Sequence, residues 1–319
     1  MEKAAEEGIS SAPGGSRDSK KGSKVLRAAP VAKYAWIHEH RGKFHVSSMC
    51  RTLGAVPQGY YAWVKKGAIE DDSDRVIIAE IQDVMKESRF TYGIRRVTQA
   101  LKDRGFHINK KRVERLMKEN NIRCKKAKKS KKTTNSNHKY PASEDRLKRR
   151  FTVAEPNRAW VSDITYLKTR DGWLYLCVWI DLFSRAVVGW SISNSLASGF
   201  VCDALMSALA RHPGARPLVH SDRGIQYASI EFRRLLWRQK LRQSMSKKGD
   251  CFDNAVAESF FGILKTEIDS TRNMPAAAVR ELIFDYIEVF YNRKRLHSKL
   301  GYKTPAEVEE EYWSLTDAS

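Results

Sequence analysis

Three acids carry the chemistry this chain offers. Asp163 lies in W-V-S-D-I-T-Y-L (160–167), Asp222 in H-S-D-R-G-I-Q-Y (220–227), and Glu258 in D-C-F-D-N-A-V-A-E-S-F-F-G-I-L-K (250–265). Between the first two lie 58 residues, and between the second and third 35. Carboxylate oxygens are the hard ligands that Mg²⁺ prefers. Each acid taken alone has an ordinary reading: Asp222 as a turn residue, Glu258 as a solvated helix acid, Asp163 as a polar residue on an edge strand. Taken together they read as one shared metal site. Asp181 and Asp253 are better explained as turn and helix-start residues and stand outside it. His220, two residues before Asp222, reads as a packed structural side chain.

The elements that must position these acids follow from patterning. Trp160–Leu167 alternates and is rich in β-branched and aromatic residues, so it predicts a strand, where an unpaired carboxylate is costly unless it meets a cation. Asp222 sits where the short apolar run Pro217–His220 spills into Arg223-Gly224. Glu258 lies in a helical pattern whose stripe is Val256, Phe260, Phe261, Ile263 and Leu264, with Asn254 and Phe261 flanking its face and Lys265 two turns on. Lys265 is therefore placed to meet a phosphate.

The surrounding order is strand Trp160–Leu167, strand Trp173–Ile180 and strand Ala186–Ile192, an antiparallel meander separated by D-G and S-R turns. Helix Phe200–Arg211, strand Pro217–His220, helix Ile230–Lys240, a short strand near Leu241–Met245, the Glu258 helix and a last helix Ala276–Tyr291 complete it. Arg293–Lys299 reads as a basic tail.

These residues resemble the DDE transposases of the retroviral integrase superfamily, in particular the second-frame (OrfB-type) proteins of two-frame bacterial insertion sequences. The resemblance rests on N-R-A-W-V-S-D-I-T-Y (157–166), H-S-D-R-G-I-Q-Y, D-N-A-V-A-E-S-F-F-G-I-L-K (253–265) and Y-N-R-K-R-L-H-S-K-L-G-Y-K-T-P (291–305), and extends over about residues 31 to 313. It implies an α/β ribonuclease H-like integrase catalytic core preceded by all-α helix-turn-helix DNA-binding segments. It also implies Asp163, Asp222 and Glu258 as catalytic metal ligands for Mg²⁺, with Mn²⁺ as a substitute and two ions at the site. The reaction implied is cleavage of transposon ends followed by strand transfer, by a homo-oligomer on terminal-repeat and target DNA, with the upstream-frame protein as a further partner. A DNA-binding regulator with an idle core, or a nuclease that cuts without rejoining, are the other readings.

Charge is distributed to suit such a division. Residues 1–150 hold 36 Lys/Arg against 17 Asp/Glu, residues 151–319 hold 22 against 20. A strongly cationic front half fits a polyanionic partner. No 18-residue apolar span or signal core is present and the cysteines form no C-x-x-C pair, so a soluble protein of the bacterial cytoplasm, associated with the nucleoid, is expected.

Domain organisation reads as a disordered tail (1–30), a helical DNA-binding region (31–122), a basic linker (123–150) and the catalytic core with its C-terminal helix (151–313). Lys33–Arg41, Val46–Leu53 and Gln58–Lys66 predict three short helices, with Ser47 as a cap and Gly54 as a turn; a helix-turn-helix and a plain bundle fit equally. Val76–Glu87, Ile94–Asp103 and Lys110–Glu119 predict three more, closed at Gly105. Their basic faces make Arg95, Arg96, Lys110, Lys111, Arg112 and Arg115, with Lys125 and Lys126 of the linker, candidates for phosphate contact.

Overall fold

The computed structural model describes residues 28–65, 72–125, 143–247 and 254–317. The expected tail over residues 1–27, Lys126 and most of the linker lie outside the described residues. The chain divides into two compact units, Met1–Ala79 and Glu80–Ser319.

In the first unit, α1 (Pro30–His40), α2 (Val46–Leu53) and α3 (Pro57–Lys65) close on Ile37, Met49, Cys50, Leu53 and Tyr60. Gly54 ends α2 in the left-handed region at φ 59°, where its missing Cβ removes the penalty other residues meet. The cap at the other end differs from expectation: His45 occupies it with no side-chain bond, so Ser47 lies inside the helix.

Helix α4 (Asp72–Glu87) is followed by α5 (Ile94–Asp103) and α6 (Lys110–Glu119). Val97, Leu101, Val113, Leu116 and Met117 are buried along the predicted stripes. The Asn109 side chain accepts a bond from the Arg112 amide at 2.9 Å, which fixes the start of α6.

The C-terminal part of the chain holds a five-stranded sheet in the order β3-β2-β1-β4-β5, formed by β1 (Ala159–Thr169), β2 (Gly172–Asp181), β3 (Val187–Ser193), β4 (Leu218–Ser221) and β5 (Arg242–Met245). The first three are antiparallel, as the meander predicts, while β4 runs parallel to β1 and β5 parallel to β4. One face packs on α7 (Gly199–Arg211), the short α8 (Ile225–Ala228) and α9 (Ile230–Arg238), through Trp160, Trp179, Ala204, Leu205 and Phe232. The other packs on α10 (Ala255–Glu267) and α11 (Ala276–Phe284) through Val161, Leu176, Phe260, Leu264 and Ile283. This three-layer mixed sheet is the ribonuclease H-like arrangement the motif order implies.

Three features depart from expectation. The last predicted helix is α only to Phe284 and continues as a π-helix over Asp285–Tyr291, and a further helix, α12 (Pro305–Asp317), follows. Leu147, read as linker, is buried in the core, and the amides of Arg146 and Leu147 donate to Ser244 Oγ beside β5. Arg293–Lys299 is no tail: Arg295 is 1% exposed, held by an acid described below.

Gly189 shows how tightly α7 lies on β3. A Cβ there would stand 2.5 Å from Ala204 O and 2.5 Å from Ala208 N, both backbone atoms that cannot swing aside. Gly189→Ala is therefore expected to destabilise the core by about 1–3 kcal/mol, the cost of overpacking. Thermal unfolding checks this, and an unchanged midpoint would show that α7 has room to retreat.

Candidate active site

The sheet brings the first two acids together. In the parallel pairing of β1 and β4, Ala159 faces Leu218, and the register runs on to Ser162 opposite Ser221. Asp163, still within β1, and Asp222, which follows β4, are the next residues after this last rung of the β1–β4 pairing. Alternation along β1 puts Asp163 on the same side as Val161, the side that packs on α10. Asp222 leaves the strand into a turn in which its Oδ1 accepts the Gly224 amide at 2.9 Å. A Cβ on Gly224 would come within 3.0 Å of that oxygen, so the glycine keeps the turn tight against the acid.

The third acid arrives on α10. The Asn254 side-chain amide donates to the Ser162 carbonyl at 2.9 Å, clipping the start of α10 to β1 one residue from Asp163. Glu258, four residues on, is exposed on the first turn. Sequence reasoning treats Asn254 as a flanking residue of a helix start. In the structure its side chain makes no cap bond and reaches across to the sheet instead. Its position four residues before Glu258 on one helix face was the signal available.

Electrostatics ties the group together. Burial drives the Asp163 carboxyl well above the usual carboxylate range; the Asp222 charge adds to this, the Ile164 amide opposes it, and the Glu258 charge raises it further. Lys265 acts on the same group from α10, the weakest influence and in the opposite direction. The Lys265 ammonium is itself pulled below its usual value by desolvation, against the attraction of Asp163. Three oxygen-ligand acids thus share a local excess of negative charge, and that donor set fits a hard divalent cation. Among the described residues, no three His, Cys, Asp or Glu side chains stand close enough together to hold an ion.

The neighbouring groups have structural roles. His220 is fully buried, with Nδ1 2.8 Å from Ser244 Oγ and Nε2 3.3 Å from Ser246 Oγ. Asp181 is buried and accepts bonds from the amides of Asn157, Phe183 and Ser184, as a turn residue does. Beneath the acids, Ser162 Oγ and Tyr227 Oη lie 2.7 Å apart.

The candidate phosphate contacts fall into two groups. Arg95, Lys110 and Lys111 are exposed on α5 and α6, as is Arg115, although it pairs with Glu119 at 2.9 Å; Arg112 is half-buried. Arg96 and Lys125 are engaged within the protein. Arg96 is half-buried, 3.9 Å from Glu267 and above the Tyr92 ring, and Lys125 pairs with Asp269 at 3.0 Å and donates to the Glu267 carbonyl.

Asn254 also leaves one polar atom, Oδ1, buried without a partner. Asn254→Ala is expected to lower strand transfer at least about tenfold and stability by about 1–2 kcal/mol, the scale of a lost buried hydrogen bond. Paired activity and unfolding measurements read both, and unaltered activity would show that α10 is located without this clip.

A ribonuclease H-like sheet with one acid inside its central strand, a second just past the end of the parallel strand beside it and a third on the covering helix defines an integrase-type core. The family models agree: "Integrase core domain" matches residues 153–251 and a second model of that description matches 239–305, while "HTH-like domain" matches 71–130. The Escherichia coli (strain K12) "Transposase InsF for insertion sequence IS3A" is 39% identical over 286 residues, 87% of this chain and 98% of the relative. The Shigella sonnei "Insertion element IS600 uncharacterized 31 kDa protein" is 38% identical over 274 residues, 84% and 99% of the two chains. The chain belongs to the integrase-core transposases of IS3-type insertion sequences.

Among solved structures, a simian T-cell lymphotropic virus intasome chain shares 24% identity at TM-score 0.43, covering 55% of this chain and 60% of that one. The HTLV-2 integrase catalytic core in complex with magnesium shares 22% at TM-score 0.38, covering 48% and 97%. No helix among the described residues is long and apolar enough to cross a membrane.

Proposed function

We propose that Asp163, Asp222 and Glu258 together hold divalent cations, Mg²⁺ with Mn²⁺ as a substitute and two ions in all, and that the transposase uses them to cut its element's ends and transfer the freed strands. The observation that carries this is the parallel register of β1 and β4, in which Asp163 and Asp222 follow directly on the paired rung of Ser162 and Ser221, with the Asp222 and Glu258 charges both raising the Asp163 carboxyl. When bound, the ions would activate the attacking oxygen and stabilise the leaving one.

The chain's own residues do the rest. Asp163, inside β1, and Asp222, just past the end of β4, form the fixed part of the ligand set. The Glu258 side chain makes no hydrogen bond among the described residues, so its rotation is free to bring it in from α10. Lys265, on the same helix face, meets a phosphate oxygen of the strand being cut. No covalent protein nucleophile is required: water attacks in the first cut, and the 3′-hydroxyl which that cut frees attacks the second phosphodiester in the transfer.

Exposed Arg95, Lys110, Lys111 and Arg115, with half-buried Arg112, supply phosphate contacts on α5 and α6, as Lys126 does in the linker. Arg96 and Lys125 reach DNA only by giving up internal partners. Joining a donor end to a target calls for several protomers, and the upstream-frame protein is a further partner. A substrate of this kind places the protein on the bacterial nucleoid.

The test is to incubate purified protein with labelled terminal-repeat DNA and Mg²⁺ and resolve the products. Joined strands are expected. Cut fragments alone would indicate a nuclease, and DNA bound but intact would indicate a regulator.

A further inference from the structure

A cavity of about 810 Å³ opens along the flank of α10, beside the face that bears Glu258 and Lys265. Ala255, Val256, Ser259 and Ile263 line it from the helix, Phe183 and Leu300 from the facing segments. Its cationic groups are Arg96, Arg185, Arg295, Lys299 and Lys303, against the single acid Glu311.

Internal partners leave part of this charge uncompensated. Arg295 is bound by Glu267 at 2.6 Å, and Lys303 by Glu311 at 2.5 Å. Arg185 donates one bond, from Nη2 to the Phe151 carbonyl at 2.8 Å, while its Nη1 is buried with no partner. Lys299 is exposed and forms no ion pair among the described residues. A buried guanidinium donor without an acceptor is costly, and an anionic ligand would relieve it. The positive field is felt by His297 on the same wall: burial first, then the charges of Arg295, Arg96 and Arg185, bring its pKa down to about 3.

Phe183 and Leu300 on the facing segments and Ile263 on α10 add apolar surface between these charges, and the volume lies within the range of about 300–1,000 Å³ typical of small-ligand sites. Guanidinium geometry matches phosphate bidentately, and an apolar surface beside it accepts an aromatic ring.

We propose that this cavity seats one nucleotide of the DNA strand carried by the transposase, its phosphate against Arg185 and Lys299 and its base along Phe183, Ile263 and Leu300. This rests on the strand-transfer reading, since α10 then holds the strand on two adjacent flanks. The site would grip a nucleotide displaced from the reacting phosphodiester and so set the position of the strand along the helix.

The test uses the full chain in EDTA, titrated calorimetrically with deoxythymidine monophosphate, thymidine and inorganic phosphate. The monophosphate is expected to bind at least tenfold more tightly than either fragment. Arg185→Ala and Ser259→Trp, the latter projecting bulk into the cavity, are expected to weaken it fivefold or more. Lys299→Ala, at an exposed site that leaves the core intact, is expected to do the same and keeps the test decisive if the other two misfold. No binding, binding unchanged in Lys299→Ala, inorganic phosphate binding as tightly as the monophosphate, or a glutamate-rich peptide binding in its place would overturn the proposal. Strand transfer by the same preparation in Mg²⁺ is scored separately: joined products without monophosphate binding would sink this inference alone.

Discussion

Asp163→Asn is expected to reduce strand transfer about 1,000-fold or more, because a neutral amide cannot replace a charged cation ligand. Losing a metal's stabilisation of the transition state forfeits several kcal/mol, and each 1.4 kcal/mol is about a factor of ten in rate. Asp222→Asn and Glu258→Gln should fall similarly. The same Asp163→Asn chain, freed of metal by EDTA, should nevertheless unfold at a higher temperature than the parent at neutral pH.

The sign follows from the raised pKa. Folding makes the Asp163 proton harder to lose, so the folded state binds it more tightly than the unfolded chain. Its favourable contribution is complete below the unfolded value of about 3.9 and is lost as pH rises through the higher folded value. The amide does not ionise and escapes that loss, so the gap between the two proteins should close on acidification. Retention of activity within tenfold of the parent, or a metal-free Asp163→Asn protein less stable than the parent at neutral pH, would remove Asp163 from the centre of the site.

Glu267→Gln should cost about 3–5 kcal/mol, the usual consequence of leaving one member of a buried ion pair alone. Arg295 grips Glu267 through two nitrogens, Nη2 to Oε1 at 2.6 Å and Nε to Oε2 at 2.8 Å, and Tyr286 donates to Oε2 at 2.8 Å. Both partners are almost fully buried. Burial opposes the Arg295 charge, and the bonds and charge of Glu267 outweigh it, so the guanidinium is held firmly protonated. Arg295→Met alone should cost a similar amount. The double variant should lose less than the two combined, since neither charge is then stranded. Denaturant titration of all three resolves this, and additive losses would mean the pair is not a unit. Because Glu267 closes α10, the singles should also impair catalysis.

Where local pattern decides, the sequence was readable. Ile94–Asp103 and Lys110–Glu119 lie at their predicted bounds because the short apolar stripes and the Gly105 that closes the first of them agree. The three acids stand out in the sequence because a carboxylate in an apolar strand needs a reason, and the motifs around them supply one. Non-local partners were not readable. Arg293–Lys299 looks like a solvated basic run until Glu267, some thirty residues earlier, is known to lie beneath Arg295. Arg96 and Lys125 looked available to DNA because their acidic partners come from distant segments. Asn254 reads in the sequence only as a flank of the Glu258 face, and the approach of β1 is what gives its side-chain amide an acceptor. The π-helical turn from Asp285 carries no periodic signature in so short a stretch.

The pairing of β1 with β4 sets a parity rule on this enzyme's evolution. Side chains alternate faces, so gaining or losing one residue within either strand would turn its acid toward α7 instead of α10. Compensation would demand the matching change in a strand nearly sixty positions away. Lengthening is therefore confined to the connections, which is where divergent members of such a lineage should store their insertions.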